Sequence, residues 1–290
     1  MLKNLIKTMR PRQWTKNLVV LAGLVFDGQM FMAEPLKRAV FAMVLFCLVS
    51  GVTYIVNDLL DIEADRQHPQ KRLRPLASGE LSVRTASVFA ILLAAVVFTL
   101  AFLLSWRFGL VCAAYFVLMI VYSRWLKHMP LIDVMTIAAG FVLRVTAGLL
   151  VITVAYFSPW LFVLTTLLAL FLGFGKRRTE LMQLDTQAIV HRKAFDGYTI
   201  PLLDNLITVI LSATLITYSL YTFSPTVTPD SHAMMFTIPF VLYGLLRYLF
   251  LLHVKKVGGA PEEVLLTDRP MQATLLLWGA AVVVILYILG

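Results

Sequence analysis

The sequence predicts an all-α fold: a polytopic membrane helical bundle of about nine transmembrane spans, forming one integral membrane domain over residues 1–290. Three observations carry that expectation. Of the 290 residues 60% are hydrophobic and only 14% charged, and the mean hydropathy of +0.84 lies outside the range of soluble globular domains. Apolar stretches near the ~20 residues that cross a hydrocarbon core recur along the chain, with charge between them. The lysines and arginines, finally, crowd into alternate loops.

The first 17 residues are basic and carry Leu2, Leu5, Ile6 and Met9 at helical spacing opposite Lys3, Lys7 and Arg10. This stretch lacks an apolar core followed by a small-residue cleavage site and so does not read as a removable signal peptide. It reads as an interfacial amphipathic segment with Trp14 at headgroup level. Spans are then expected at roughly 18–33, 36–57, 83–104, 109–126, 131–152, 158–175, 201–222, 233–252 and 271–289. Cys47 and Cys112 both fall inside spans, as small buried hydrophobes rather than as a disulfide framework or a zinc site.

The net charge of +9 is assigned to topology rather than to nucleic-acid binding, because 20 of the 25 basic residues fall in loops on one side. Only Lys37, Arg38 and Arg107 lie on the other side, and Arg144 and Arg247 sit within spans. The positive-inside rule therefore predicts a cytosolic N-terminus and, for nine spans, an external C-terminus, and the expected location is the cell inner membrane. The two longest loops, 58–82 and 176–200, are both cytosolic and are where function is expected. Lying four spans apart, they hint at a duplicated four-helix unit.

The most informative stretch is Tyr54-Ile55-Val56-Asn57-Asp58-Leu59-Leu60-Asp61-Ile62-Glu63-Ala64-Asp65. On a continuing helix Asp58, Asp61 and Asp65 share one face, with Tyr54 a turn above and Glu63 turned away. Three carboxylates at a helix C-terminus repel one another and meet the negative end of the helix dipole, so positive charge must offset them. A hard divalent cation held by oxygen suits the pattern, with Asn57 as a neutral donor. The alternative is a solvated acidic helix end neutralised by Arg66, Lys71 and Arg72. The run Lys71-Arg72-Leu73-Arg74 follows at once and offers cations for phosphate oxygens.

Asn57-Asp58-x-x-Asp61-x-x-x-Asp65, followed by Arg74-Pro75 and Ser78-Gly79, resembles the first signature of the UbiA-type prenyltransferase superfamily. That resemblance implies a UbiA-like, nine-span helical fold with a Mg2+–diphosphate site facing the cytosol. Further segments look like one branch of it, the decaprenyl-phosphate phosphoribosyltransferases, and extend the resemblance over nearly the whole chain: Arg10-Pro11-x-Gln13-Trp14-x-Lys16-Asn17, Tyr122-Ser123-x-x-Leu126-Lys127 with Pro130-Leu131-x-Asp133, and Gly175-Lys176-Arg177-Arg178-x-Glu180-Leu181. Where ordinary members carry a second aspartate-rich motif, this chain reads Lys176-Arg177-Arg178-Thr179-Glu180. One acidic and one basic pole suit two phosphorylated substrates. Simple anchoring of a span end by Lys176 to Arg178 is the competing reading.

The branch implies transfer of 5-phosphoribose from phosphoribosyl pyrophosphate to a polyprenyl phosphate, with pyrophosphate released and Mg2+ as cofactor, in a membrane-lipid setting and without nucleic acid. Asp58, Asp61, Asp65 and Asn57 are expected at the metal. Lys71, Arg72 and Arg74 are expected on the pyrophosphate or the 5-phosphate, and Lys16, Lys176, Arg177 and Arg178 on the remaining phosphates. Tyr122, Lys127 and Asp133 are expected to line the same cavity, with a helix-cap role open for Asp133. Arg144 is too deep in its span for a topogenic role, which leaves pairing with a buried acid or a place in the cavity. Two other classes stand beside this reading: a UbiA-type aromatic prenyltransferase using a polyprenyl diphosphate, and a lipid carrier or transporter without chemistry. Polyprenyl length and oligomeric state are left open.

Overall fold

In a computed structural model, residues 1–154, 158–186, 197–224, 232–255, 264 and 267–289 are described. Among them eight helices are long and apolar enough to cross a membrane. The elements are α1 (Leu2–Thr8), a 3-10 helix (Pro11–Leu21), α2 (Ala22–Phe26), α3 (Ala33–Leu60), α4 (Ile62–Gln67), α5 (Val83–Leu104), α6 (Trp106–Arg124), α7 (Ile132–Leu149), α8 (Pro159–Thr186), α9 (Ile200–Thr222), α10 (Ile238–His253) and α11 (Arg269–Val284). Short 3-10 turns at Lys71–Leu73, Leu126–His128 and Ala233–Thr237 join them, and Ile285–Leu289 ends the chain in π geometry. This is a polytopic α-helical membrane protein.

Helices dominate because lipid offers no partner for backbone N–H and C=O groups, so each span must satisfy its own. Hydroxyls inside the spans follow the same logic: Thr53, Thr136, Thr165, Thr166 and Thr214 each donate to the carbonyl four residues back. Helix starts are marked chemically. Ser82, Thr199 and Asp268 accept from the backbone N–H three residues on. Prolines occupy the first turns of α9, α10 and α11, where their missing N–H costs nothing.

The segment expected as the first span, residues 18–33, is not a membrane-length helix. A 3-10 helix runs to Leu21, only five residues of α-helix follow, and Gly28 turns the chain at φ 73°. The other expected spans correspond to α3 and α5 to α11, with α8 eleven residues longer than expected at its C-terminal end. Most of the expected 176–200 loop is thus helix up to Thr186, and residues 187–196 lie outside the described residues.

Two compact units emerge. The first holds residues 1–24, 29–136 and 143–154. Its core is built on α3, which packs against α5, α6 and the 3-10 helix around Phe46, Phe108, Leu45 and Val20. A second cluster, Leu5, Met9, Ile55, Leu76 and Leu81, pins α1 and the 58–82 loop together. Met9 lies so close to Gly51 that a Cβ there would sit 2.6 Å from its methyl group. Half of the amphipathic stripe of α1 therefore faces protein, while Leu2 and Ile6 remain exposed. The second unit holds residues 25–28, 137–142 and 155–290, with α8 packed on α9 and α10 on α11. Its core centres on Tyr218, Tyr221, Met234, Val282 and Ile285. Each unit begins its membrane-length helices with one that carries a charged run, at the end of α3 in the first and in the second half of α8 in the second.

Candidate active site

The acidic motif lies where α3 gives way to α4. The helix assumed from spacing breaks at Asp61, which leaves helical geometry at φ -99°, ψ 10°. Backbone bonds from Asp61 N to Asn57 O and from Asp65 N to Asp61 O carry the four-residue register across the break. Asp58 and Asp65 consequently stay together. Arg74 Nη1 reaches Asp65 Oδ2 at 2.5 Å and Asp58 Oδ1 at 3.2 Å, so one guanidinium serves both carboxylates. Asp58 and Asp65 are almost fully buried, at 2% and 3% exposure.

Two further cations arrive from distant parts of the chain. Arg10 donates to Asp58 Oδ1, and its guanidinium carbon lies 4.9 Å from the centre of the Tyr54 ring. Arg10 holds a left-handed backbone, φ 54° and ψ 64°, an arrangement rare for a residue with a Cβ, between α1 and the 3-10 helix. Lys127 Nζ sits 2.8 Å from both oxygens of Asp61. Each motif aspartate is thus charge-compensated, as burial demands for Asp58 and Asp65. Arg66, a neutralising cation in the alternative reading of a solvated helix end, pairs with exposed Glu63 at 2.8 Å.

The remaining expected residues of this unit divide into two groups. Asn57 is half-buried on the last turn of α3, and Lys71 and Arg72 are exposed in the following 3-10 turn. His68 Nδ1 accepts from Gln70 N and Lys71 N, which shapes that turn. Burial, with Lys71 close by, holds the His68 imidazole below its ordinary range, in keeping with an acceptor nitrogen. Lys16 lies half-buried on the 3-10 helix, and Tyr122 half-buried near the end of α6. Asp133 is fully buried in the first turn of α7, but the N-cap position belongs to Leu131 and makes no side-chain cap bond. Arg144 resolves into a buried polar network: Nε donates to Asn17 Oδ1 and Nη2 to Tyr115 Oη, both at 2.7 Å.

In the second unit Lys176, Arg177 and Arg178 lie within α8. Arg177 Nη1 meets Glu180 Oε2 at 2.5 Å and Lys176 Nζ approaches Glu180 Oε1 at 3.9 Å. Arg178 Nε meets Asp204 Oδ1 of α9 at 2.5 Å, and His253 Nε2 of α10 lies 3.1 Å from the same oxygen. Arg177 and Arg178 are buried.

The donor chemistry at Asp58, Asp61 and Asp65 is all oxygen, which suits a hard divalent cation. Among the described residues no group of three histidine, cysteine, aspartate or glutamate side chains stands together as a ready-made cage. A pair of carboxylates within reach of one cation is nevertheless what Mg2+ ordinarily asks of a protein, with water and phosphate oxygens completing its shell. The residues present therefore fit such an ion through Asp58 and Asp65.

Sequence reasoning missed Arg10 as a site residue; its signal was the Arg10-Pro11 pair within the recognised N-terminal motif. Asp204 and His253 had no such signal.

Fold and site together define a polytopic helical membrane protein whose buried aspartates cluster where a span ends. Residues 18–262 match the model of the UbiA prenyltransferase family, and the chain belongs to that family. It is 33% identical over 291 residues to the decaprenyl-phosphate phosphoribosyltransferase of Corynebacterium glutamicum, covering 98% of this chain and 87% of that one. To the protein of the same name from Mycolicibacterium smegmatis it is 32% identical, covering 97% and 93%. The fold is shared with a UbiA homolog from Archaeoglobus fulgidus bound to GPP and Mg2+, at a TM-score of 0.71 and 20% identity over 98% of this chain and 100% of that one.

Proposed function

We propose that this protein transfers the 5-phosphoribosyl group of phosphoribosyl pyrophosphate to the phosphate of a membrane polyprenyl phosphate. The observation that carries the reading is near-full-length identity of 32–33% to two decaprenyl-phosphate phosphoribosyltransferases. The basic run within α8 supports it, because an aromatic acceptor needs no second phosphate-binding pole.

A phosphate oxygen of the lipid forms a bond to C1 of the ribose, and the bond from C1 to the pyrophosphate oxygen breaks, the electron pair leaving with pyrophosphate. The nucleophile is already an anion at neutral pH, so no general base is required. Asp58 and Asp65 would hold Mg2+, with Asn57 and Asp61 beside them; when bound, the ion draws off charge that builds on the leaving diphosphate. Arg10 and Arg74 stand against the same carboxylates and would bind diphosphate oxygens, joined by Lys71 and Arg72 from the exposed turn. Lys127, 2.8 Å from both oxygens of Asp61, would keep that carboxylate oriented. Lys16, Lys176, Arg177 and Arg178 would serve the remaining phosphates, with Tyr122 as lining; Asp133, fully buried, would support the site rather than line it. The positive-inside pattern supports cytosolic ends for α3 and α8 and a cytosolic N-terminus.

Purified protein in lipid vesicles, given ribose-labelled phosphoribosyl pyrophosphate, polyprenyl phosphate and Mg2+, should move label into the lipid fraction. Label entering lipid from an aromatic acid and a polyprenyl diphosphate instead would establish the aromatic prenyltransferase. Transfer of neither would leave the carrier reading.

A further inference from the structure

We propose that Arg144, deep in α7, is a positioning residue that holds the 3-10 helix in place and thereby sets Arg10 against Asp58. The inference rests on the functional reading above for the role of Arg10 and goes beyond it in assigning Arg144, Asn17 and Gly148.

A 3-10 helix of eleven residues is long for its kind, since its hydrogen bonds are poorly aligned and runs beyond three or four residues are uncommon. Its geometry must come from tertiary contacts, and the first unit supplies them at two points one turn apart on α7. At Arg144, Nε donates to Asn17 Oδ1 at 2.7 Å, while Nη2 is held by Tyr115 Oη at 2.7 Å. The guanidinium lies 4.6 Å from the centre of the Tyr115 ring and 5.5 Å from that of Phe46. Asn17 itself is fully buried and is also met by Ser50 Oγ at 3.4 Å. At Gly148 the backbones approach so closely that a Cβ would sit 1.8 Å from the Val20 carbonyl oxygen. Asn17 and Val20 are three residues apart, hence on one face of the 3-10 helix, and Arg144 and Gly148 are four apart, hence on one face of α7.

The other end of the docked segment is Arg10. Its left-handed backbone aims the guanidinium at Asp58, and such a conformation persists only where surrounding structure imposes it. With Pro11 fixing the next φ, any shift of the 3-10 helix is passed to Arg10 rather than absorbed. Arg144 therefore acts on the aspartate site through Arg10.

A double-mutant cycle separates positioning from general destabilisation. Full-length protein in detergent is titrated with Mn2+ in the presence of inorganic pyrophosphate, for the parent, Arg144→Gln, Arg10→Gln and the double variant. Arg144→Gln and Arg10→Gln should each weaken binding by about ten-fold or more, as for a lost charge-assisted contact, and the double variant should be no weaker than Arg10→Gln alone. Additive losses, or no loss in Arg144→Gln, would overturn the proposal. If Arg144→Gln does not fold, Asn17→Asp takes its place: it keeps an acceptor for Arg144 and should retain parental binding, whereas a loss that persists with Arg10 absent overturns the inference. Should the parent bind no Mn2+ with pyrophosphate, the functional reading fails, and hydrogen exchange across residues 11–21 still decides the docking. Faster exchange in Arg144→Gln upholds the anchoring of that segment, and unchanged exchange refutes it.

Discussion

The acidic run that begins at the end of α3 and the basic run inside α8 are counterparts with opposite sign. Each is tied to the first helix of its unit that is long enough to cross a membrane, and each carries three like charges within one or two turns. At α3 the charges are carboxylates, and their partners are cations from elsewhere in the chain: Arg10, Arg74 and Lys127. At α8 the charges are cations, and their partners are Glu180 on the same helix and Asp204 on the next. A carboxylate site meets a phosphorylated ligand through a metal ion, whereas a guanidinium site meets it directly. The contrast teaches that one pole is suited to a leaving diphosphate and the other to an oxygen anion that needs no metal.

The largest expected effect lies at the acidic pole. Asp58→Asn or Asp61→Asn should lower turnover by roughly three orders of magnitude at saturating Mg2+, while the variant still inserts and elutes as the parent does. The two positions are not equivalent, however. At Asp58 the change leaves Arg74 its pair with Asp65 but strips Arg10 of a carboxylate, whereas at Asp61 it strips Lys127, which meets both oxygens of that carboxylate; in each variant the Asn oxygen remains as a neutral acceptor. Near-parental turnover in both variants would mean that the acidic run is only a solvated helix end, and the comparison would collapse.

At the basic pole the effect should be smaller and should appear in a different constant. Arg178→Gln removes a charge-assisted contact worth about 1.5 to 3 kcal/mol, or ten- to a hundred-fold. If Arg178 holds a substrate phosphate, KM for one of the two substrates should rise by that factor with kcat little changed. Arg177→Gln tests the neighbouring guanidinium, whose carboxylate partner is Glu180 of its own helix rather than Asp204 of the next. Unchanged constants for both substrates in both variants, normalised to inserted protein, would make α8 an anchored span end and return the aromatic prenyltransferase to contention.

How much of this was legible beforehand follows from the range of each signal. The spans α5, α9 and α11 were readable because an apolar run of about 20 residues has one stable form in lipid. Residues 18–33 misled because apolar content alone does not reveal a 3-10 helix held by Arg144 and Gly148. The extension of α8 was encoded and overlooked: Lys176 and Arg177 stand four and three residues before Glu180, the spacing of helical ion pairs. The aspartates announced themselves by spacing. Their partners did not, because Arg10 and Lys127 reach Asp58 and Asp61 across 48 and 66 positions of chain, and no local pattern records such contacts.

The smallest effect concerns an ion pair of the second unit that lies outside the basic run and so serves as its control. Asp268 accepts from Arg247 at 2.8 and 3.2 Å and from Met271 N at 2.9 Å, capping α11. The Arg247 guanidinium, aided by the Met271 N–H and opposed by burial, holds the Asp268 carboxyl below the usual carboxylate range. A depressed carboxyl binds its proton less readily in the folded chain than in the unfolded one. Its contribution to stability is therefore complete above the ordinary aspartate pKa of about 3.9 and is lost as the pH falls below that toward the folded value. Asp268→Asn keeps an acceptor for Met271 N–H but loses the charge. Its unfolding midpoint should sit slightly below the parental one at neutral pH, with the gap unchanged down to about pH 4 and closing in stronger acid. Transfer kinetics should not move. A stability change with silent kinetics at Asp268, set beside a kinetic change at Arg178, would separate an ion pair that braces the helices from one that handles substrate; the same silent pattern at both would assign both to bracing.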